Sequence, residues 1–468
     1  MEPEGNERGL CPFSLLVWGK SNYICLIVEI LLQVSPVRRI ALLRWPPVSV
    51  KIAACFLYRR ISVSLWCPIK RKDMIQFSSE TLQFIREHRT DNVRDLALRA
   101  SRYPGIDMQA AAEQIAGWQV ARKKLPGWAQ TEGIVYPKHL SMEQCSSEIT
   151  ARYKASLVRG DTFTDLTGGF GVDFVCMARN FREADYVERQ EALCEQAVHN
   201  FPLLGLEDVR VHCADAVDYL KAMEPVDCLF LDPARRDSHG GKTVKIADCE
   251  PDVSALEPLL LEKGKRVMVK LSPMLDIFSA LRELKHVREV HVVAVNNECK
   301  ELLIMLEKGT EACSDPVVCC EQAVDNFLSE PFRFTYPEEK KADCPLAVSV
   351  EEYLYEPGAS LMKAGPFRLL AERYGLRKLH PDSHLYTSWR LVDFPGRRFR
   401  VTGVSGFGKK ELKAFLHGVD KANLTVRNFP AAVADLRKRL KLREGGDVYL
   451  FATTLGNNEK VIVKGMKA

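Results

Sequence analysis

The chain has 468 residues, 46% hydrophobic and 27% charged, which excludes global disorder and collagen-like repeats and leaves room for about three domains with a sizeable core. The net charge of +5 hides a segregation: residues 1–73 carry 11 basic and 5 acidic side chains (+6), residues 74–373 carry 36 and 48 (−12), and residues 374–468 carry 19 and 8 (+11). A basic C-terminal segment after an acidic middle points to a polyanion, nucleic acid foremost, with a solvated basic surface as the alternative.

The 15 cysteines are scattered, with no C-x-x-C and no paired Cys/His spacing. Neighbours such as Cys319 and Cys320 rarely bridge. This usage fits free thiols in a reducing compartment, hence a cytoplasmic protein, and no metal site.

Residues 1–73 read unlike the rest. The apolar run from Tyr23 to Val34 is interrupted by Glu29 and falls short of the roughly 20 residues a spanning helix needs. Gln33-Val34-Ser35-Pro36 makes a poor signal-cleavage site. A basic membrane-surface anchor, a cryptic targeting segment and an over-extended start compete here. Clean periodicity begins only after Met74, which favours the last and argues against stable membrane association.

Residues 74–145 read as a helical N-terminal domain. Ser78-Ser79-Glu80 can cap a first helix, a second covers about Asn92 to Ser101, and a third runs from Asp107 to near Pro126-Gly127. A further helix within residues 137–158 leads into the next domain, either as a flap or as a packing element.

Residues 146–312 alternate strand and helix. Strands fit residues 162–167, 184–189, 209–214, 227–233, 266–271, 287–296 and 301–307. Such alternation implies a parallel sheet wound on both faces. Only Asn297-Glu298-Cys299-Lys300 separates the last two strands, too few residues for a parallel crossover, so the seventh must run antiparallel to the sixth. The expected fold is α/β: a seven-stranded Rossmann-like sheet with an antiparallel strand 7, a helical N-terminal region and small α+β C-terminal modules.

The first strand-to-helix turn reads Asp165-Leu166-Thr167-Gly168-Gly169-Phe170-Gly171. Its glycines let the backbone approach a ligand and turn sharply into a helix. The dinucleotide pattern G-x-G-x-x-G fails, because Phe174 takes the third glycine position. Asp165 would repel a pyrophosphate and suits a ligand with a cationic amino-acid end. Glu188, at the end of the second strand, can accept from ribose hydroxyls, and Asp215, after the third, from an adenine amino group.

These features together resemble class I S-adenosylmethionine-dependent methyltransferases. The turn TDLTGGFGVDFVCMA and the later YVER resemble in particular the small-subunit ribosomal RNA guanine-N2 methyltransferases. The resemblance covers about residues 145–310. It implies S-adenosyl-L-methionine as cofactor, with Asp165, Thr167, Gly168, Gly169 and Gly171 around the methionine end, Glu188 on the ribose and Asp215 on the adenine.

Strand four ends Asp232-Pro233-Ala234-Arg235. Amino-group methyltransferases carry (N/D/S)-P-P-(Y/F/W) here, where the acid or amide accepts from the amine and the ring stacks on the base. Asp232 and Pro233 match, while Arg235 replaces the ring and can stack through its guanidinium plane or bind phosphate. These three residues are the catalytic candidates. The D-P-x-R form also resembles RNA uracil-C5 methyltransferases. Those need a cysteine after strand five, where this chain has Lys270-Leu271-Ser272-Pro273. Lys270 and Ser272 are candidate substrate contacts. Residues 235–248 form a charged loop, a candidate gate, whose His239 is assigned no catalytic role.

Residues 313–378 suggest a small α/β module, with Lys363 and Arg368 as candidate RNA contacts or a solvated face. Residues 379–468 read as β-α-α-β-β. They carry a Gly-Phe-Gly turn followed by Lys409 and Lys410, and a basic helix end with Arg437, Lys438 and Arg439. Residues 74–468 resemble bacterial class I methyltransferases with a ferredoxin-like insert and a THUMP-like C-terminal domain, on the marks YLYEPGASLMKAG, KLHPDSHLYTS, NFP and LREGGDVYLFATT. The resemblance implies RNA as partner. The expected function is S-adenosylmethionine-dependent methylation of a base in structured RNA, tRNA or rRNA, at an exocyclic or ring nitrogen. A methyltransferase on a small molecule or protein, and a non-catalytic RNA-binding protein, are the alternatives. Oligomeric state is left open.

Overall fold

The computed structural model describes residues 77–235, 245–308, 315–324 and 327–468, without the side chain of Arg235. The readings made for residues 1–73, for the Arg235 side chain and for His239 lie outside these residues.

The N-terminal helices begin at side-chain caps. Ser78 accepts from the Thr81 N–H at the start of α1 (Ser79–Glu87). Asn92 caps α2 (Val93–Leu98), and Asp107 caps α3 (Met108–Lys124). Each cap satisfies N–H groups that the first helical turn leaves without a partner. Pro126 then opens α4 (Pro126–Gln130), where its missing N–H costs nothing. Next come α5 (His139–Gln144) and α6 (Glu148–Ser156), the latter capped by Ser147. Tyr136, Met142 and Tyr153, from α5, α6 and the segment before them, are buried in one core with Trp128, Phe170 and Phe201. These elements are therefore packing elements, and the α5–α6 junction also supplies a wall of the cleft described below.

The strands are β1 (Thr162–Asp165), β2 (Glu183–Glu188), β3 (Arg210–Cys213), β4 (Val226–Leu231), β5 (Gly264–Leu271), β6 (Val287–Val295) and β7 (Glu298–Glu307). Helices α7 (Val172–Ala178), α8 (Glu191–Leu203), α9 (Ala216–Ala222), α10 (Val253–Lys263) and α11 (Ile277–Glu283) connect the first six. The sheet order is β3-β2-β1-β4-β5-β7-β6, and β7 runs antiparallel to both neighbours. Asn296 and Asn297, at φ +50° and +61°, make the hairpin between β6 and β7. Two residues in the left-handed region match the twist of paired strands. The strand thus starts three residues earlier than its apolar run suggested.

The sheet does not stop near residue 312. β8 (Val317–Val324) pairs parallel to β6, while β9 (Phe327–Leu328) and β10 (Phe332–Phe334) pair antiparallel to β8. The segment expected to open a separate module thus extends the large sheet at its outer edge. Its apolar core is shared with Leu361 and Leu370 of the next module, which makes the boundary invisible to hydropathy.

A second, seven-stranded sheet spans both C-terminal modules. Its order is Arg377–Lys378, then β12 (Tyr386–Ser388), β11 (Tyr353–Pro357), β13 (Gly396–Gly406), β16 (Lys460–Lys467), β15 (Tyr449–Thr454) and β14 (Asn423–Arg427). The first half of β13 pairs with β11 and the second half with β16, so one strand stitches the two modules together. Helices α12 (Tyr336–Lys341), α13 (Ala359–Ala364), α14 (Phe367–Tyr374), α15 (Lys409–Phe415) and α16 (Val433–Leu440) complete the chain. The expected β-α-α-β-β order missed β14, which lies between α15 and α16 and pairs parallel to β15. β14 is an edge strand of five half-buried residues, and its alternation of Leu424 and Val426 with polar neighbours is short enough to pass as a link between two helices.

Candidate active site

The strands β1 to β5 deliver their C-terminal ends to one edge, where an α/β sheet binds ligands. A cleft of about 510 Å³ opens there. Its walls are the glycine turn after β1, the ends of β2, β3, β4 and β5, the α5–α6 junction (Ser141, Gln144, Cys145, Ser146) and the Pro251–Leu256 segment.

The glycine turn is held from behind. The Gly168 N–H donates to Val187 O at 2.8 Å and the Gly171 N–H to Gly168 O at 2.9 Å. Gly169 and Gly171 have φ of +56° and +85°, which an L side chain resists. Gly168 is required for space: a Cβ there would lie 2.1 Å from the ring of Tyr186. Thr167 Oγ1 accepts from the Asp232 N–H at 2.6 Å, locking the turn to the end of β4.

Glu188 is buried, and both its oxygens accept backbone N–H groups, from Gly169 at 2.9 Å and from Gln190 at 2.8 Å. It lines the cleft and fastens the turn at once. Asp215 caps α9 through Oδ1 and is exposed at the cleft. Asp165 is placed differently from its expected role at the methionine end. It is buried behind the turn, where Oδ1 accepts from the Thr167 N–H at 3.0 Å, and it does not line the cleft. The reason is geometric: Asp165 is still in the strand, two residues before the backbone turns outward. Burial pushes its carboxyl well above the usual range, and the nearby Asp173, Asp232 and Glu188 add to that.

Asp173, in the first turn of α7, takes the acidic place on the wall. Sequence reasoning passed over it because an acid in a first helical turn is ordinary dipole stabilisation. The cleft carries six carboxylates (Asp173, Glu188, Asp215, Asp232, Glu250, Asp252) against two cations (Arg189, Lys270). That balance favours a cationic ligand and disfavours a pyrophosphate.

At the end of β4, Asp232 is the partly exposed acid and Pro233 is buried. Lys270 donates to Asp232 Oδ2 at 2.5 Å. Burial pulls the Lys270 ammonium down, but the carboxylates of Asp232, Asp173 and Glu301 outweigh it and hold the group firmly protonated. Ser272 does not line the cleft: its Oγ accepts from the Met274 N–H at 3.3 Å within a turn. The sequence reading also missed Lys154 and Glu301, both buried, which pair at 2.6 Å. Glu301 stands just before the apolar run of β7, after Lys300, where a charged residue is ordinary, so the sequence carried no signal for its burial.

The basic residues of the C-terminal module come together in space. Lys409 and Lys410 open α15 and are exposed. Arg439, near the end of α16, lies 4.1 Å over the ring of Phe407, two residues before Lys409. Phe407 meets Phe429 edge-on at 4.9 Å. The glycine turn of this module and the Arg437-Lys438-Arg439 helix end therefore form one basic surface with aromatic rings between its parts. Arg437 is partly withdrawn from it, donating to Ala422 O at 3.4 Å.

Among the described residues, Glu289, His291 and Cys319 bring three metal-ligand types within 4.8 Å of one another. Both ring nitrogens of His291 are already engaged, Nδ1 with the Tyr153 hydroxyl at 2.7 Å and Nε2 with Glu289 at 3.0 Å. The trio is a hydrogen-bonded buried histidine and needs no ion. The described cysteines are free thiols. No helix among the described residues is long and apolar enough to cross a membrane.

The strand order and the acidic cleft beyond its glycine turn define a class I methyltransferase fold. Family models for a ferredoxin-like domain and for a THUMP domain-like module match residues 353–395 and 396–465. A crystal structure from Porphyromonas gingivalis W83, of a protein provisionally assigned as a methyltransferase, is 35% identical over 84% of this chain and 100% of its own, with a TM-score of 0.75. An rRNA methylase from Streptococcus thermophilus is 17% identical over 34% of this chain and 94% of its own, with a TM-score of 0.26. TrmK of M. capricolum, in complex with S-adenosylhomocysteine, is 10% identical over 35% of this chain and 69% of its own, with a TM-score of 0.27. These last two likenesses are too slight to bear on function. None of the curated proteins matches the chain. The chain belongs to the family of the Porphyromonas protein, the S-adenosylmethionine-dependent class I methyltransferases that carry a ferredoxin-like and a THUMP-like module.

Proposed function

We propose that this enzyme transfers a methyl group from S-adenosylmethionine to a nitrogen of a base in structured RNA, tRNA or rRNA. The observation that carries the reading is the placement of Asp232. Its carboxylate stands partly exposed in the cleft, its backbone is locked by Thr167, and its side chain is held by Lys270.

The cofactor fits the residues present. The acidic cleft suits its sulfonium and ammonium charges. Glu188 retains lone pairs for ribose hydroxyls after accepting two backbone N–H groups, and Asp215 lies where an adenine edge would meet the start of α9. Bound there, the cofactor supplies an electrophilic methyl group.

The remaining work falls to the protein. Asp232 accepts a hydrogen bond from the acceptor amine and orients its lone pair toward the methyl carbon. The new C–N bond forms as the C–S bond breaks, and the nitrogen then sheds its proton to Asp232 or to water. Positioning of this kind supplies most of the acceleration in a displacement between two bound partners. Lys270 holds the Asp232 carboxylate in place. The basic surface around Lys409, Lys410, Lys438 and Arg439 holds the RNA backbone, and Phe407 fixes Arg439 for that contact. A base within a helix would have to leave its stack to reach the cleft.

The test is transfer of labelled methyl from S-adenosylmethionine to unmodified total RNA, with protein extract in parallel. Label in RNA, lost by at least about a hundredfold in Asp232→Ala with RNA binding intact, is the expected result. Label in protein alone, or full activity in Asp232→Ala, would overturn it.

A further inference from the structure

Behind the cleft runs a chain of charges of which the reaction as described uses only the outer two, Lys270 and Asp232. Lys154, on α6, has no exposed surface. Its Nζ lies 2.6 Å from Glu301 Oε1 and 3.1 Å from Asp173 Oδ1, and donates to Ser146 Oγ at 3.1 Å. Asp173 Oδ2 accepts from the Ser146 hydroxyl at 2.7 Å and lies 3.8 Å from Lys270 Nζ. Lys270 in turn reaches Asp232 at 2.5 Å. Two ammonium groups and three carboxylates, drawn from α6, α7, β5, β7 and the end of β4, thus form one line that surfaces at Asp232.

Buried ion pairs are a poor device for stability. Withdrawing each charge from water costs several kcal/mol, and apolar residues of similar shape often serve as well. Their retention here calls for a use, and the geometry shows one. Lys270 stands between two carboxylates, nearer Asp232 than Asp173. Asp173 is already met at Oδ1 by Lys154 and at Oδ2 by Ser146. With Asp173 so provided for, Lys270 is free to lean outward.

We infer that Lys154 is a positioning residue for methyl transfer: by satisfying Asp173 and Glu301 it leaves Lys270 to Asp232, and so fixes the carboxylate that meets the acceptor nitrogen. The inference rests on the reaction proposed above. Without the Lys154 ammonium, Asp173 and Glu301 draw Lys270 inward, and Asp232 loses the partner that aims it. The line also passes through the α7 turn that follows the cofactor glycines, so the acceptor acid and the cofactor cleft share one scaffold.

The test uses the full chain with Lys154→Met and the double variant Lys154→Met/Glu301→Leu. The double variant removes one charge of each sign and keeps the protein folded if the single one does not. Single-turnover methyl transfer to unmodified total RNA is expected to fall by about tenfold or more in the double variant. S-adenosylhomocysteine affinity, read by calorimetry, is expected to stay within about threefold of the parent. A merely structural role would lower stability and cofactor affinity while leaving the rate per loaded enzyme unchanged, and that result overturns the inference.

A second readout works without activity, so failure of the RNA reading and failure of this one are distinguishable. In 15N-lysine protein, the ammonium resonance of Lys270 is assigned by its absence in Lys270→Arg. Asp232→Asn should shift it in the parent and leave it in place in the Lys154→Met/Glu301→Leu background. An equal shift in both backgrounds means Lys270 never left Asp232, and the inference fails.

Discussion

Replacing Gly168 by alanine tests the claim that the cofactor turn is shaped by what lies behind it. The added Cβ would sit 2.1 Å from Tyr186 Cε2 and 2.5 Å from Cδ2 and Cζ. Carbon atoms rest about 3.5–4.0 Å apart, so the ring would have to retreat by about 1.4 Å. It has nowhere to go. Tyr186 is fully buried, edge-on to Phe174 at 5.4 Å and to Phe201 at 5.2 Å. Overpacking of this kind costs about 1–3 kcal/mol. A retreating ring also withdraws its hydroxyl from Gly169 O, adding about 1 kcal/mol. The expected total is about 2–4 kcal/mol. Gly169→Ala is the control: its Cβ meets only Thr167 O, at 3.8 Å, and its cost is the left-handed φ, about 1–2 kcal/mol. Urea unfolding at 25 °C compares the two variants, and calorimetry with S-adenosylhomocysteine follows the turn itself. Trimming the ring in Gly168→Ala/Tyr186→Leu should recover part of the unfolding midpoint lost by Gly168→Ala. Equal midpoints for Gly168→Ala and the parent, or a larger loss for Gly169→Ala, would refute the reasoning.

Three further outcomes are expected. Arg439→Gln and Phe407→Leu should each weaken binding to a tRNA mixture severalfold at moderate salt, Arg439→Gln should reduce the salt slope by about one, and neither should alter S-adenosylhomocysteine affinity. His384 stacks on Phe367 at 3.6 Å, and its burial, with Lys378 and Arg427 nearby, lowers its pKa from 6.5 to about 4. The unfolded chain therefore binds the extra proton first, and stability should fall as pH drops from about 6.5 to about 4, by about 1–2 kcal/mol after allowance for its partial exposure. Thermal melts of His384→Asn should show a shallower acid dependence across that window; an unchanged slope would exclude the histidine as its source. Glu321 is buried, which raises its pKa from 4.5 to about 7. The folded state keeps a proton that the unfolded chain has lost, so stability should decline as pH rises through that interval. Glu321→Gln should be the more stable protein at pH 8, by about 1–2 kcal/mol, and show no such gain at pH 4.5.

Much of the architecture could be read before any coordinates. The β/α alternation and the four-residue link after Asn296 together require a doubly wound sheet with a reversed last strand. Helix starts at Ser78, Asn92 and Asp107 were legible because a cap is a local interaction between a side chain and the next turn. The glycine turn and the acids at three strand ends were legible for the same reason: strand, turn and helix follow one another within about ten residues.

What stayed hidden depends on partners far apart in sequence. β14 was passed over because its alternation spans only five residues between two helices, and it is pairing with β15 that makes it a strand. β8 was not read as part of the large sheet because it looks like any short strand until β6 accepts it. At the site, Asp165 and Asp173 are equally plausible acids on paper. The direction in which the chain leaves β1 puts the first behind the turn and the second on the wall. The Lys154–Asp173–Lys270–Asp232 line pairs residues up to 97 positions apart, and it continues from Lys154 to Glu301, 147 positions away. Sequence alone set the class of protein and the edge of the sheet where it works. Only the tertiary structure decided which charges face one another, because a buried charge is stable only beside a partner that the fold brings to it.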